Sequence, residues 1–362
     1  MPQRLYINGR YIGGGTTAVN AVARDLTHAL CAASSAQWDV SVAVPPDLKD
    51  AALEQGLPVT VVGRRSGILW EQLDLPSLRH SGVIAGFFNT VPLSGRGYVT
   101  MVHDAHVFST PASYGRATRL WRQRLSRQAG RAGNAIVTVS EHSRAALLAY
   151  GIGLPERIGV VPNGLGPVGK LEPDSAIFEK IGVQRDAPYC VALSSTLPHK
   201  NIGLLLRAFA QPELSGVKLV LIGKADAADL QAAGHDVPPA AVLGGFVSDA
   251  ELAALYTNAL AVCMPSTEEG FGLPALEGMA LGAAALVSDR GALPEVVGAA
   301  GVILPADDAT AWSTAILRLI DRPAERAALV IAGRARARAF TWEAAAQKFL
   351  GHLDNWYGPA EH

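Results

Sequence analysis

The sequence is short of cysteine, of long apolar runs and of net charge, and each scarcity removes a class of protein. Cys31, Cys190 and Cys263 are three thiols in 362 residues, scattered and without the spacing of a metal or redox motif. That pattern excludes a disulfide framework and predicts a reduced, cytoplasmic compartment. A formal net charge of −1 offers no broad positive field, so a nucleic-acid partner is not expected. Apolar runs such as VKLVLIG (217–223) and LGAAALV (281–287) fall far short of the ~20 residues that cross a bilayer. The start, MPQRLYING, passes into a strand-like run with no charged-then-apolar leader. The expectation is a soluble cytoplasmic protein, with the inner face of the cytoplasmic membrane open to it as a surface.

What is present is a rhythm of short apolar runs alternating with helix-length segments, the mark of parallel βαβ units. Strands are expected at 4–8, 40–44, 59–62, 83–86, 98–103 and 135–140, with helices at 16–31, 68–79, 115–131 and 141–150 between them. The rhythm restarts at YCVALS (189–194) and continues through strands at 217–223, 241–245, 259–264, 284–288 and 301–305. Its helices are expected near 200–210, 225–234, 248–257, 274–282 and 308–321. The Gly- and Pro-rich stretch 160–174 reads as a linker. The fold class is therefore α/β, with two doubly wound Rossmann-like domains at 1–165 and 166–340 and a ligand cleft between them. A closing helix at about 341–362 carries an apolar stripe suited to packing back on the first domain.

The most informative stretch is EEGFGLPALEGMAL (268–281). Pro274 suits the first turn of a helix and would break an interior, so Glu269 belongs to a loop and Glu277 to the helix's first turn. Gly270 and Gly272 let the backbone approach a ligand closely. The helix start just beyond them is an anion site. Two carboxylates flanking such a site suit a nucleotide sugar, one taking sugar hydroxyls and the other ribose hydroxyls.

A second stretch, SSTLPHKNIGLLLRAF (194–209), places Lys200 between a strand end and an amphipathic helix. Lysine is scarce in this Arg-rich chain, and a fixed ammonium there would stabilise a departing diphosphate. The alternative is a surface lysine at a helix start. In LGGFVSDAEL (243–252), Ser248 and Glu251 form a capping box.

The first half offers a glycine loop, Gly13-Gly14-Gly15, after its first strand. It lacks the dinucleotide and P-loop spacings, but its amides can approach a phosphate or sugar; a plain flexible turn is the competing reading. His103-Asp104 ends a buried strand, and no third ligand accompanies His106 to make a metal site. Ser140 in VSEHSR is expected to cap a helix. The segment 114–131 holds six arginines and no acid. It reads either as a solvated helix face or as a surface drawn to anionic lipid, with Leu120, Trp121 and Leu125 at the interface.

Glu269 and Glu277, with seven residues between them, resemble the E-x7-E motif of family-four retaining glycosyltransferases, which have the GT-B fold. The glycine loop, the HD strand end, VSEHSR (139–144), VPNG (161–164) and the HKN turn (199–201) resemble that family in the same order, over nearly all of the chain. The resemblance implies that Glu269 contacts the transferred sugar and that Phe271 and Gly272, with Gly270 and Leu273 beside them, present backbone amides to the donor. It implies that Glu277 holds the nucleotide ribose, Lys200 grips the diphosphate and His103 hydrogen-bonds the donor sugar. Gly14 and Gly15 would line the cleft, and Phe246 and Val247 would lie beside the nucleobase. One departure stands out: many members carry an Arg shortly before the Lys, where this chain has Ser194, Ser195 and His199.

The function these features imply is transfer of a hexose, mannose from GDP-mannose as first choice, to a saccharide or lipid-linked saccharide in bacterial surface-polysaccharide assembly. No metal and no cofactor is expected beyond the nucleotide-sugar substrate. The competing readings are a glycoside hydrolase, which also needs paired carboxylates, a nucleotide-sugar epimerase of the same architecture, and a non-catalytic nucleotide-sugar-binding subunit.

Overall fold

A computed structural model describes residues 2–15, 17–33, 37–166, 168 and 171–358. Thr16 of the first expected helix, Pro167, Gly169 and Lys170 of the expected linker, and the last four residues of the expected closing helix lie outside the described residues. The chain divides into two compact units, Met1–Gly164 with Phe340–His362, and Leu165–Ala339.

The first unit is built on seven parallel strands: β1 Gln3–Asn8, β2 Trp38–Val44, β3 Val59–Val61, β4 Val83–Gly86, β5 Tyr98–Met101, β6 Ala135–Thr138 and β7 Ile158–Val160. Their order is β3-β2-β1-β4-β5-β6-β7. β4, β5 and β6 are buried at every residue, as strands covered on both faces must be. β7 was not expected from the sequence, because IGV is too short an apolar run to stand out. The helix expected at 68–79 is two elements, a helix Gly67–Leu73 and a 3₁₀ segment Leu75–His80. Pro76 opens the second and cannot donate to the first.

The closing helix Trp342–Tyr357 belongs to this first unit and buries Ala346, Phe349, Leu350 and Leu353. Phe349 meets Phe87 edge-on with ring centroids 5.2 Å apart, and the Trp38 indole donates to Asp354 at 2.6 Å.

The second unit has six parallel strands: β8 Tyr189–Leu193, β9 Lys218–Ile222, β10 Ala241–Gly245, β11 Ala261–Met264, β12 Ala284–Ser288 and β13 Val302–Leu304. Their order is β10-β9-β8-β11-β12-β13. Helix Ile202–Phe209 buries every residue except Arg207. Helix Leu273–Leu281 lies close on β11 because Gly278 has no Cβ; one would stand 2.5 Å from a Val262 methyl. A helix at Pro323–Ala337 completes the unit. It was not expected, since only Gly333 and Ala337 are buried in it and the rest shows no strong apolar stripe.

In each sheet the strand order reverses once, between β1 and β4 and between β8 and β11. Loops leaving the carboxyl ends of two strands diverge at such a point, which is where open α/β sheets bind ligands.

Candidate active site

The loops after β8 and β11 flank the reversal in the second sheet, and they carry Lys200 and Glu269. Pro198–Lys200 is a 3₁₀ turn whose Lys200 N–H donates to Leu197 O at 2.9 Å. Helix Ile202–Phe209 therefore starts two residues after Lys200 rather than at it. Asn201 takes a left-handed conformation, φ 53°, which asparagine tolerates better than most residues. From there its side-chain NH₂ donates to Pro265 O at 3.0 Å and Ala306 O at 2.8 Å, tying three loops together. Thr267 N–H donates to His199 O at 2.8 Å. These bonds deliver the Lys200 ammonium to the Glu269 carboxylate, Nζ to Oε2 2.7 Å, with the two side chains only 22% and 14% exposed.

Glu269 is fixed from its other side as well. Its carbonyl accepts from Ala292 N–H at 2.9 Å. The turn that brings Ala292 there requires Gly291, with φ +63° and a position where a Cβ would stand 2.6 Å from Glu269 N. Phe271 is buried and anchors the loop. Gly272, at φ +110°, is pressed against Leu293, so the chain enters helix Leu273–Leu281 by a route only glycine allows. No side chain caps that helix, and its first amides face the loop that holds Gly270 and Glu269.

Glu277 is not in the first turn, contrary to the sequence expectation. The helix begins at Leu273 and places Glu277 on its second turn. It is partly buried, and burial, with Asp249 adding repulsion, pushes its carboxyl up to about 7. Among the described residues no hydrogen bond or cation offsets that cost. Near neutral pH the group is therefore shared between its acid and carboxylate forms, and the carboxylate form can accept hydrogen bonds from donors that reach it.

Phe246 and Val247 do not join this cluster. They follow β10, an edge strand separated from β8 by β9, and Phe246 stands 77% exposed at the rim. Ser248 and Glu251 form the capping box of helix Asp249–Asn258. Of the residues standing where many family members have Arg, Ser194 commits its hydroxyl to Ala225 O at 2.7 Å and His199 is buried.

In the first unit, His103 lies just past β5, and the loops after β1 and β4 flank the reversal of that sheet. Its Nε2 is 2.9 Å from Phe87 O. A carbonyl only accepts, so Nε2 carries the proton and Nδ1 keeps its lone pair. Burial holds the ring below the ordinary imidazole range, which favours its neutral form. Asn89, left-handed at φ 60°, accepts from His103 N–H at 2.9 Å, and the Ser143 hydroxyl donates to His103 O at 3.1 Å. Gly13, Gly14 and Gly15 are exposed. A Cβ at Gly14 would displace the Asn20 side-chain amide, whereas Gly15 faces open space. Asn89 and Gly291 were missed by sequence reasoning, and Asn201 was read only as part of the HKN turn; an Asn beside a strand end, with its tolerance of positive φ, was the available signal.

The two parallel-sheet units, each with its reversal, define a GT-B fold. Residues 174–336 match the family model described as Glycosyl transferases group 1, and the second unit belongs to that family. The chain is similar to the MMP alpha-(1->4)-mannosyltransferase of Mycolicibacterium hassiacum, 36% identical over 227 residues covering 58% of this chain. It spans about half the length, 51%, of that relative. It is 28% identical over 326 residues to the D-inositol 3-phosphate glycosyltransferase of Segniliparus rotundus, covering 82% of this chain and 71% of the relative. Among solved structures, Anabaena HepE in complex with UDP and glucose has the same fold, with a TM-score of 0.69, 18% identity and coverage of 98% of this chain and 100% of that one.

The Glu277 carboxylate carries a pH prediction. Its proton is held more tightly in the folded chain than in the unfolded one. The stability this contributes is present in acid, below about 4.5, and is lost as pH rises through about 7. If Glu277 takes ribose hydroxyls, as the resemblance implies, they donate to its ionised form and nucleoside affinity runs the other way. It is expected to rise about tenfold between about pH 6 and about pH 8. Glu277→Gln is expected to bind weakly with a flat profile. Calorimetric titration with a neutral nucleoside, which has no titrating phosphate, checks this; a wild-type curve as flat as the variant's counts against the ribose role.

Proposed function

We propose that the chain is a retaining, metal-independent hexosyltransferase that moves a sugar from a nucleoside diphosphate to a saccharide or lipid-linked saccharide during surface-polysaccharide assembly. GDP-mannose is the proposed donor. The observation that carries this reading is the Lys200–Glu269 pair at the reversal of the second sheet, with the half-buried Glu277 one helix turn beyond an uncapped helix start.

In this reading the Lys200 ammonium and the amides of 270–273 take the negative charge that builds on the diphosphate as the glycosidic bond breaks. Glu269 accepts hydroxyls of the sugar, whose anomeric carbon gains oxocarbenium character, and Glu277 accepts those of the ribose. His103 Nδ1 offers a further acceptor for a sugar hydroxyl. No carboxylate forms a covalent adduct, and the acceptor oxygen arrives on the face the phosphate leaves. A mannose donor is supported by the similarity to a mannosyltransferase. A phosphorylated or lipid-linked acceptor is supported by the arginines of helix Arg116–Ala129 beside exposed Leu120 and Trp121.

The test is a thermal-shift screen of GDP-, UDP- and dTDP-sugars, followed by product analysis with the labelled donor that binds best. Transfer to an added saccharide with the anomeric configuration kept is the expected result. A donor converted to its epimer without acceptor, binding without turnover on a broad acceptor panel, or hydrolysis of simple aryl glycosides overturns it.

A further inference from the structure

In the described loops that leave the carboxyl ends of the second sheet, the permanent cations are Lys200 after β8, Lys224 after β9 and Arg290 after β12. Two of them are already paired. Lys200 meets Glu269 at 2.7 Å, and the Arg290 guanidinium meets Asp289 at 3.2 Å. Lys224 is exposed and has no ion-pair partner among the described residues. The acids that follow it are engaged with each other's backbone. Asp226 accepts from Asp229 N–H at 2.9 Å and Asp229 accepts from Asp226 N–H at 3.2 Å, the reciprocal cap of helix Ala227–Ala232.

The sheet sets the position of Lys224. Leu193 pairs with Ile222, and Ser194 N–H donates to Ile222 O at 2.7 Å, so β8 and β9 keep their register at their ends. On the other side Gly223 N–H donates to Gly245 O at 2.8 Å. Continuing that register sets Lys224 beside Ser195, at the spacing of neighbouring strands, about 4.8 Å. Both neighbours of Lys224 are tied to Ser194. Gly223, at φ +136°, lies so close that a Cβ would stand 2.8 Å from Ser194 O. The Ser194 hydroxyl donates to Ala225 O at 2.7 Å. A fixed backbone thus carries Lys224 at the sheet edge that also holds Lys200, beside two serines that offer no charge.

We propose that Lys224 is a second diphosphate-binding residue, supplying charge that Lys200 alone does not. The proposal rests on the transferase function above. Each phosphate of a nucleotide sugar carries a negative charge, whereas the Lys200–Glu269 pair is neutral as a unit. Departure of the sugar then adds negative charge to the terminal phosphate. Lys224 is the unpaired ammonium on the strand next to Lys200, and a point charge on a flexible stem can follow the diphosphate as that charge grows.

Calorimetric titration of the full chain with GDP, UDP and dTDP, and with guanosine, uridine and thymidine, tests it. For the diphosphate that binds the wild type, Lys224→Gln is expected to lose roughly tenfold in affinity, the range for a charged hydrogen-bond donor, and Lys224→Glu more. Lys224→Arg is expected to keep most of it. Nucleoside affinity and melting temperature should stay at the wild-type values, and added salt should weaken wild type more steeply than Lys224→Gln. Wild-type diphosphate affinity in Lys224→Gln, with Lys200→Ala impaired, overturns the proposal and leaves the transferase reading standing. Equal losses for diphosphate and nucleoside overturn it too, since they assign Lys224 to the shape of the loop. Wild type that binds none of the three diphosphates overturns both readings.

Discussion

Replacing Lys200 with alanine is expected to lower turnover of the nucleotide sugar by roughly a hundred- to a thousandfold, the range for removing one preorganised group that stabilises a developing negative charge. The ammonium is mostly buried and has one acidic partner, Glu269 at 2.7 Å, so its charge is little screened and its position is fixed before any ligand arrives. The neighbouring Ser194 and His199 supply no strong substitute cation, which concentrates the charge role of that loop on one residue. Nucleoside diphosphate affinity is expected to fall with turnover, while affinity for the bare nucleoside stays near wild type because Glu277 is untouched. Lys200→Arg is expected to lie between, since a guanidinium keeps the charge but not the point geometry. Alanine also leaves Glu269 without its cation, so Lys200→Ala/Glu269→Gln is the control that separates loss of phosphate stabilisation from a displaced carboxylate. Unchanged turnover in Lys200→Ala would remove the residue from the site.

That Lys200 and Glu269 lie at one sheet edge was legible in the sequence, because each lies where a strand ends and a helix begins and such loops meet there. What brings them to 2.7 Å was not legible. Asn201 does so through a left-handed backbone and two hydrogen bonds to loops 64 and 105 residues away, and Gly291 does so through a close approach to Glu269. Neither leaves a periodic signal; both are long-range contacts made by small residues. The same limit explains the misplaced Glu277. Pro274 fits either of the first two helical positions, and a shift of one position moved the carboxylate from the first turn to the second. Most strands that could be read are largely buried, and the partly exposed β3, β10 and β13 were still read because each lies in an apolar run of four or five residues. β7, three residues long, and helix Pro323–Ala337, polar on most sides, lack the apolar contrast on which such reading depends.

Arg10→Ala is expected to destabilise the first unit by about 3 kcal/mol, the low end of the range for breaking a buried ion pair, because Glu71 is fully enclosed while Arg10 keeps some solvent contact. Arg10 comes from the turn after β1, and its Nε donates to Glu71 on helix Gly67–Leu73. The Thr90 hydroxyl donates to the same carboxylate oxygen at 3.1 Å, and the guanidinium lies 4.8 Å from the Phe88 ring centroid. One carboxylate thus joins the loops after β1 and β4 to the helix that follows β3. Removing the arginine strands a desolvated charge among them. Replacing both partners by apolar residues of similar volume, Arg10→Met/Glu71→Leu, removes the stranded charge and is expected to recover most of the loss. At roughly 2–4 °C per kcal/mol for a unit of this size, the single variant should melt about 6–12 °C lower. An Arg10→Ala protein within about 0.5 kcal/mol of wild type would show that water reaches Glu71, and that the pair orders the loops without stabilising the fold.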